Sequence, residues 1–391
     1  MERIGIYGGT YNPPHNGHTA AAKYALQALA LQKLLVIPSC ISPHKMLPQD
    51  SASPQQRLKM LQLALSDTQN IEVSDIELCR GSVSYTYETV ETLKGQYPDA
   101  ELILFMGTDM FLSFDKWKNP DRILSNAALA VFYRGDPNEK EKIQEKKASF
   151  EANGATIYLV ENPITEISST DLRRMLVFGC AAPFVHADVL NFIRQEGLYH
   201  TDEDYRNLPL EQLEQKVIEL LKPNRVAHVL GCRQTAKELA QLYGVDAETA
   251  QRAALLHDIT KALDGPLQLT LCREYGITLD EFSSRNPKTL HALTGSLVAQ
   301  RVFGEDPAVV AAIRSHTTGK AAMNTLEKII YVADYMEPNR NFPGVEQLRR
   351  LAHEDLDGAL KLGLQMTVAM LQQQGSAISP ESQEALQYLE K

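Results

Sequence analysis

The sequence predicts an α/β half followed by an all-α half, and three observations carry that reading. Short β-rich runs alternate with helical stretches up to about Tyr199, whereas beyond it nearly every segment has helical period and no alternating β-branched run occurs. The 391 residues ask for two or three domains at roughly 150 residues each. Apolar residues at 44% and charged residues at 23% are ordinary globular usage, which excludes a disordered or fibrous chain and allows a large core.

The strand signals fall at residues 4–7, 34–37, 71–73, 102–106, 130–133 and 156–160. Helical stretches at 18–31, 54–65, 85–94 and 188–196 separate several of them, so the strands are joined by crossovers and the sheet is expected to be parallel. The polar run 138–147 reads as a solvated helix face or a loop. Residues 200–210 are polar and acidic, include Pro209 and read as a linker between domains 1–199 and 211–391. In the second half, Gly244, Gly265-Pro266, Pro287, Gly304, Pro307, Gly319, Pro338 and Pro343-Gly344 punctuate the helices.

Lys+Arg at 39 against Asp+Glu at 49 give a formal charge of -10, which argues against a general nucleic-acid binder. A polyanion handled by such a chain must meet local cations or a bound metal. Five dispersed cysteines without a Cys-x-x-Cys pair point to a reduced, cytoplasmic protein. No apolar stretch approaches the roughly 20 residues of a membrane span, and the first strand signal begins without a preceding secretory h-region.

Two constellations carry chemistry. The first strand runs into Gly8-Gly9-Thr10-Tyr11-Asn12-Pro13-Pro14-His15-Asn16-Gly17-His18 and then a helix. Two glycines permit backbone N–H groups to approach a phosphate, and the helix start adds positive potential. His15 and His18 are spaced to donate to one anion. Near the end of the same half stands Ile167-Ser168-Ser169-Thr170-Asp171-Leu172-Arg173, in which hydroxyls cap a helix and an arginine adds a charge that capping does not need. A His-x-x-His pair alone more often marks a metal site or two surface histidines, and the dinucleotide and Walker glycine patterns are both absent.

Together these motifs resemble the nucleotidylyltransferase superfamily, specifically the bacterial nicotinate mononucleotide adenylyltransferases, over roughly the first 195 residues. The resemblance implies a Rossmann-like domain in which Gly8, Gly9, Thr10, His15, His18, Ser168, Ser169, Thr170 and Arg173 bind ATP phosphates with Mg²⁺, and His15, His18 and Arg173 act in catalysis. It places the acceptor at Lys45, Thr86, Asp109 and Trp117, with Arg57 and Arg134 as further candidates. Trp117, the single tryptophan, offers a plane for a pyridine ring, although core packing is its plainer role. Many relatives carry Phe and Asp where Tyr11 and Asn12 stand, and Arg-Pro-Gly at Arg134-Gly135-Asp136. The implied reaction is in-line attack of the acceptor's 5'-phosphate on the α-phosphorus of ATP with loss of pyrophosphate, which needs positioning and charge neutralisation rather than a protein nucleophile.

The second constellation is Arg225-Val226-Ala227-His228, His257-Asp258-Ile259-Thr260-Lys261, His291, His316-Thr317-Thr318-Gly319 and Ala333-Asp334-Tyr335-Met336-Glu337-Pro338. One His-Asp dipeptide means little, but this ordered set on several helices can converge as nitrogen and oxygen ligands. No cysteine belongs to the set, which argues against a closed structural zinc site and leaves Fe, Mn, Co, Ni or Zn open. His353 falls outside the pattern and reads as a surface residue.

The order His, His-Asp, Asp resembles the HD-superfamily metal-dependent phosphohydrolases, and the fuller pattern is similar to the HD-domain symmetrical bis(5'-nucleosyl)-tetraphosphatases. The resemblance implies iron or a similar ion on His228, His257, Asp258 and Asp334, with Asp258 catalytic. His291 and His316 then hold a second ion or substrate phosphates, with Arg225 and Lys261 nearby. It further implies hydrolysis of diadenosine tetraphosphate to two ADP; ppGpp, a dNTP, or a non-catalytic sensing role remain the alternatives.

The sequence thus reads as a cytoplasmic bifunctional enzyme whose partners are small nucleotides: ATP, nicotinate mononucleotide and dinucleoside polyphosphates. It expects neither nucleic acid nor membrane and leaves oligomerisation open. Trp117 and Pro43-His44-Lys45 speak against a pantetheine-phosphate adenylyltransferase, and no Lys-Met-Ser-Lys-Ser-like segment supports a class I aminoacyl-tRNA synthetase.

Overall fold

Strands β1 (Arg3–Gly9), β2 (Lys33–Pro38), β3 (Ile71–Val73), β4 (Glu101–Gly107), β5 (Ala128–Tyr133) and β6 (Ile157–Glu161) pair in parallel in the order β3-β2-β1-β4-β5-β6. The structure, a computed structural model, describes residues 1–41, 47–48, 50–133, 137–161 and 167–391. Residues divide into one unit of Met1–Val177 with Ala181–Asp202 and another of Phe178–Cys180 with Glu203–Lys391.

In the first unit, alternate strand residues serve opposite layers. Ile4, Ile6, Leu35, Ile37, Leu102 and Leu104 pack on one face, and Leu34, Val36, Ile103 and Phe105 on the other. Helices cover both faces, which is why the strands read as continuous apolar runs. Each fully buried Leu or Ile contributes about 1.5–3 kcal/mol. The strand order reverses between β1 and β4, and in an open α/β sheet that switch point opens a crevice beyond the carboxyl ends of the strands. β1 ends there in Gly8-Gly9 and β4 in Gly107.

The helix expected over 18–31 spans Asn16–Ala28 and stops where Ala30 adopts φ 47° on the way into β2. The polar run 138–147 lies within the helix Pro137–Glu151.

Among the described residues the second unit contains helices and no strand. Proline opens the helices Pro223–Tyr243 and Pro307–Ser315, Gly244 ends the former at φ 69°, and Asp246 caps Ala247–Leu256 by accepting from Thr249 N–H at 2.7 Å. Thr325–Met336 buries Leu326, Ile329, Ile330, Val332, Ala333 and Met336, so it is apolar nearly all round and lies inside the bundle. Within the segment read as a linker, Tyr205 is buried and its ring lies 5.9 Å from that of Phe303. No described helix is long and apolar enough to cross a membrane.

Candidate functional site

The loop after β1 is held by its own side chains. A Cβ on Gly9 would lie 2.9 Å from the Tyr11 ring, whereas a Cβ on Gly8 would meet open space. Tyr11, at φ 49°, donates its hydroxyl to the Tyr7 carbonyl at 2.8 Å. The Asn12 amide donates to Ser51 Oγ at 2.8 Å, while its carbonyl accepts from the Tyr199 hydroxyl at 2.8 Å. Both side chains therefore brace the loop, Tyr11 through a hydroxyl that phenylalanine lacks.

His15 stands at the start of the helix Asn16–Ala28, and its backbone N–H donates to His18 Nδ1 at 3.2 Å. A neutral His18 consequently carries its proton on Nε2, the tautomer that donates to a phosphoryl oxygen. The two rings lie 3.6 Å apart, tilted by 30°. His15 is buried, its Nδ1 has no hydrogen-bond partner among the described residues, and burial pushes its pKa down to about 4. It is neutral at neutral pH, and an anion against the ring would raise that value.

The later motif meets this loop. Arg173 donates through Nη1 to the Asn12 carbonyl at 2.6 Å, and Ser169 donates to the Pro13 carbonyl at 2.9 Å. Thr170 Oγ1 lies 3.4 Å from Arg173 Nη2. Ser168 caps its helix by accepting from Asp171 N–H at 3.1 Å, and its hydroxyl donates to the Asp171 carboxylate at 2.7 Å.

On the acceptor side, Thr86 opens the helix Thr86–Gln96 and exposed Asp109 sits in the first turn after β4. Trp117 is half-buried, its ring 5.3 Å from Phe114. Lys118 Nζ lies 3.9 Å over the Tyr85 ring, so the segment after β4 reaches the start of the Thr86–Gln96 helix. Lys45 and Arg134 lie outside the described residues. Arg57 requires a correction. Its guanidinium is buried and donates to the carbonyls of Thr10, Ser39, Cys40 and Ala52, so it braces the loops instead of offering a charge to the acceptor.

In the second unit, five elements converge. Arg225, His228 and Cys232 come from Pro223–Tyr243, and His257 and Asp258 from the end of Ala247–Leu256. His291, His316 and Asp334 come from Leu290–Arg301, the end of Pro307–Ser315 and Thr325–Met336. His228 Nε2 lies 3.3 Å from His257 Nε2 and 3.1 Å from Asp334 Oδ1. Asp258 Oδ2 is 3.5 Å from His257 Nε2, while its Oδ1 is 3.5 Å from His291 Nε2 and 3.7 Å from His316 Nε2.

All four imidazoles are aimed the same way. His257, His291 and His316 donate Nδ1–H to the carbonyls of Ala254, Lys288 and Ile313 at 2.6, 3.0 and 2.7 Å, and His228 donates Nδ1–H to the Glu337 carboxylate at 3.1 Å. That turns each Nε2 toward Asp258 or Asp334, the orientation that metal-binding histidines require. Imidazole nitrogens beside carboxylate oxygens suit a divalent ion. Among the described residues buried Asp258 Oδ1 has no hydrogen-bond partner, an orphan that a cation would satisfy. The residues present fit a metal.

The charges agree. Burial alone would push the Asp258 carboxyl up, but His257 and the neighbouring imidazoles hold it well below the usual carboxylate range. Burial, reinforced by the Lys261 ammonium, pushes His291 down to about 3. Lys261 Nζ sits 2.9 Å from His291 Nε2. Arg225 donates to Asp258 Oδ2 through Nε at 2.6 Å, on the side facing His228 and His257.

Two cluster residues, Cys232 and Arg340, escaped the sequence reading, and a third, Glu337, stood in a motif without a role. Cys232 sets a thiol beside the cluster that the sequence reading expected to be cysteine-free: its Sγ lies 3.5 Å from His228 Nε2 and 3.9 Å from Nδ1, against the side of the ring. Its i, i+4 spacing from His228 was the available signal. Buried Glu337 orients His228, and Arg340 donates to Asp334 Oδ1 at 2.7 Å. A Cβ on Gly231 would lie 2.3 Å from Glu337 Oε2, so the glycine admits that carboxylate. His353 is exposed.

Comparison with known proteins agrees with both halves. The Cytidylyltransferase-like profile matches residues 6–175 and the HD domain profile residues 225–339. A protein of Borrelia garinii subsp. bavariensis named probable nicotinate-nucleotide adenylyltransferase is 36% identical over 198 residues, 50% of this chain and 94% of its own length. The symmetrical bis(5'-nucleosyl)-tetraphosphatase of Halalkalibacterium halodurans is 41% identical over 172 residues, 43% of this chain and 91% of its own. A Mycoplasma pneumoniae protein named probable nicotinate-nucleotide adenylyltransferase/Ap4A hydrolase is 28% identical over 371 residues, 93% of this chain and 97% of its own. The chain belongs to the nicotinate-nucleotide adenylyltransferase family through its first half and to the symmetrical bis(5'-nucleosyl)-tetraphosphatase family of HD-domain proteins through its second.

Proposed function

We propose that the chain is a cytoplasmic bifunctional enzyme, transferring an adenylyl group from ATP to nicotinate mononucleotide in its first unit and hydrolysing diadenosine tetraphosphate to two ADP in its second. The observation that carries the reading is that each unit brings distant motif segments together around a place for phosphate: Arg173 and Ser169 on the Asn12-Pro13 turn, and His257-Asp258 between His228, His291, His316 and Asp334.

In the first unit the 5'-phosphate oxygen of the acceptor attacks the α-phosphorus in line and pyrophosphate leaves. His18 Nε2–H, the Arg173 guanidinium and the helix start at Asn16 meet the developing negative charge. Neutral His15 adds a donor without first releasing a proton. Thr86, Asp109, Trp117 and Lys45 orient the acceptor, and Mg²⁺, when bound with ATP, would neutralise phosphate charge.

In the second unit His228, His257, Asp258 and Asp334 would hold a divalent ion, with iron the leading candidate. When bound, such an ion polarises a phosphoryl oxygen and lowers the pKa of water. His291, His316 and Lys261 face the other Asp258 oxygen, where they hold a second ion or a substrate phosphate. Arg225 offers charge to the polyphosphate.

The test uses two reactions: ATP, Mg²⁺ and nicotinate mononucleotide with nicotinate adenine dinucleotide as readout, and diadenosine tetraphosphate with Fe²⁺, Mn²⁺ or Co²⁺ with ADP as readout. Both products are expected. Binding of diadenosine tetraphosphate without ADP release would replace the hydrolase with a sensor.

A further inference from the structure

We infer that Glu77 is a positioning residue for the acceptor: its buried carboxylate fixes the Ser84-Tyr85-Thr86 turn against Cys40-Ile41 after β2 and thereby sets the affinity for nicotinate mononucleotide. The inference rests on the reading of the first unit as an adenylyltransferase and adds a residue that lies outside its motifs. Glu77 is buried in the short helix Ile76–Arg80, which follows β3 and ends at Gly81 with φ 66°.

The carboxylate ties together segments that carry the acceptor site. Thr89 donates its hydroxyl to Glu77 Oε1 at 2.8 Å. Thr89 follows Thr86 by three residues in Thr86–Gln96, so the two share a helix face, and the hold on Thr89 fixes the rotation at which Thr86 is presented. On the other side, buried Ser84 accepts from Cys40 N–H through its hydroxyl oxygen at 2.9 Å, while Ser84 N–H donates to the Ile41 carbonyl at 2.9 Å. Ile41 and Val83 form a parallel bridge at the same place. The Cys40 carbonyl accepts from Arg57 Nη2 at 3.1 Å, so this residue is held through both its N–H and its C=O. Tyr85, the next residue after Ser84, lies under Lys118 Nζ of the segment that follows β4.

Two facts favour positioning over packing. An apolar side chain would fill this place without desolvating a charge. Instead, burial pushes the Glu77 carboxyl above its ordinary value against the pull of the Thr89 and Ser84 hydroxyls. Neighbouring Arg80 makes its ion pair with Glu88 at 3.3 Å, so among the described residues hydroxyls rather than a cation supply the hydrogen bonds of Glu77. The second fact is direction. An ionised carboxylate only accepts, so both hydroxyls donate to it and the Ser84 oxygen keeps a lone pair for Cys40 N–H. A glutamine amide would offer N–H to one of these hydroxyls and break that order.

The test measures adenylyl transfer by the full-length protein with Mg²⁺, varying nicotinate mononucleotide and ATP in turn. Glu77→Gln is expected to raise KM for nicotinate mononucleotide by about 10-fold and to leave KM for ATP and kcat within about 2-fold of wild type. Ser84→Ala is expected to do the same, and the double variant to do no more than either single change, as members of one hydrogen-bond chain require. An unchanged KM for nicotinate mononucleotide, or an equal rise for both substrates, would overturn the proposal while leaving the adenylyltransferase standing. Wild-type protein that forms no nicotinate adenine dinucleotide would overturn that reading and the proposal with it. Should Glu77→Gln misfold by circular dichroism, Thr89→Val removes one donor at nearly constant shape and decides by the same ratio: a rise confined to nicotinate mononucleotide supports positioning, and no such rise refutes it.

Discussion

The two units meet phosphate by different means. In the first, the loop backbone and a helix start form the cradle, and much of the polar side-chain material holds that backbone: Tyr11, Asn12 and Arg57 all bond within or beside the loop. In the second, side-chain atoms from several helices form the site, and backbone carbonyls orient three of the rings. Adenylyl transfer already has a nucleophile and a leaving group in its substrates, so preorganised donors suffice. Hydrolysis must activate water, which calls for an ion and hence for converging ligands.

The strongest way to break the comparison is His257→Ala/Asp258→Ala. It is expected to lower ADP release by about 10³-fold or more and to abolish metal retention, with adenylyl transfer unchanged; a parallel loss in both assays would show that the units are coupled. Next comes His18→Ala, expected to reduce kcat for adenylyl transfer by about 10² to 10³ with unchanged circular dichroism. Near-wild-type turnover would remove His18 from the phosphate site.

The third concerns the burial of His15. Its folded pKa of about 4 lies below the ordinary 6.5, so the unfolded chain binds more protons between those values. The stability contribution is complete above about pH 6.5 and falls as the pH drops toward 4, by at most about 3 kcal/mol. Chemical denaturation of wild type and His15→Gln across that window should show the smaller loss in the variant; equal slopes would mean that the ring is not desolvated.

Two smaller effects sharpen the contrast. Glu337→Gln should weaken metal binding by about 10- to 100-fold in a chelator competition, because His228 loses the carboxylate that orients it, and Gly231→Ala should do the same by displacing that carboxylate. Trp117→Ala should raise KM for nicotinate mononucleotide by roughly 10-fold, with a smaller change in kcat. An unchanged KM would assign the ring to packing.

Much of this molecule was legible from its residues. All six strands lie at or within a few residues of the runs that signalled them, because a parallel sheet covered on both faces demands apolar segments that stand out from their surroundings. The His and Asp residues of the second unit were legible because they recur in a recognisable order. Arg57 was misread because an arginine near a ligand loop looks the same in sequence whether its donors meet carbonyls or a substrate. Cys232 was passed over because its thiol comes beside His228 through a helical turn, outside any motif spacing.

The sequence by itself determined the strand and helix periods, the helix caps, and the identities of the phosphate-directed motifs, since these are local properties of side chain and backbone. Tertiary structure alone decided that His15 is desolvated, that Glu337 and Arg340 flank the metal-binding cluster, and that four imidazoles turn Nε2 to one centre. These outcomes depend on how helices remote in sequence cross and which atoms they exclude from water, and no local pattern records that packing.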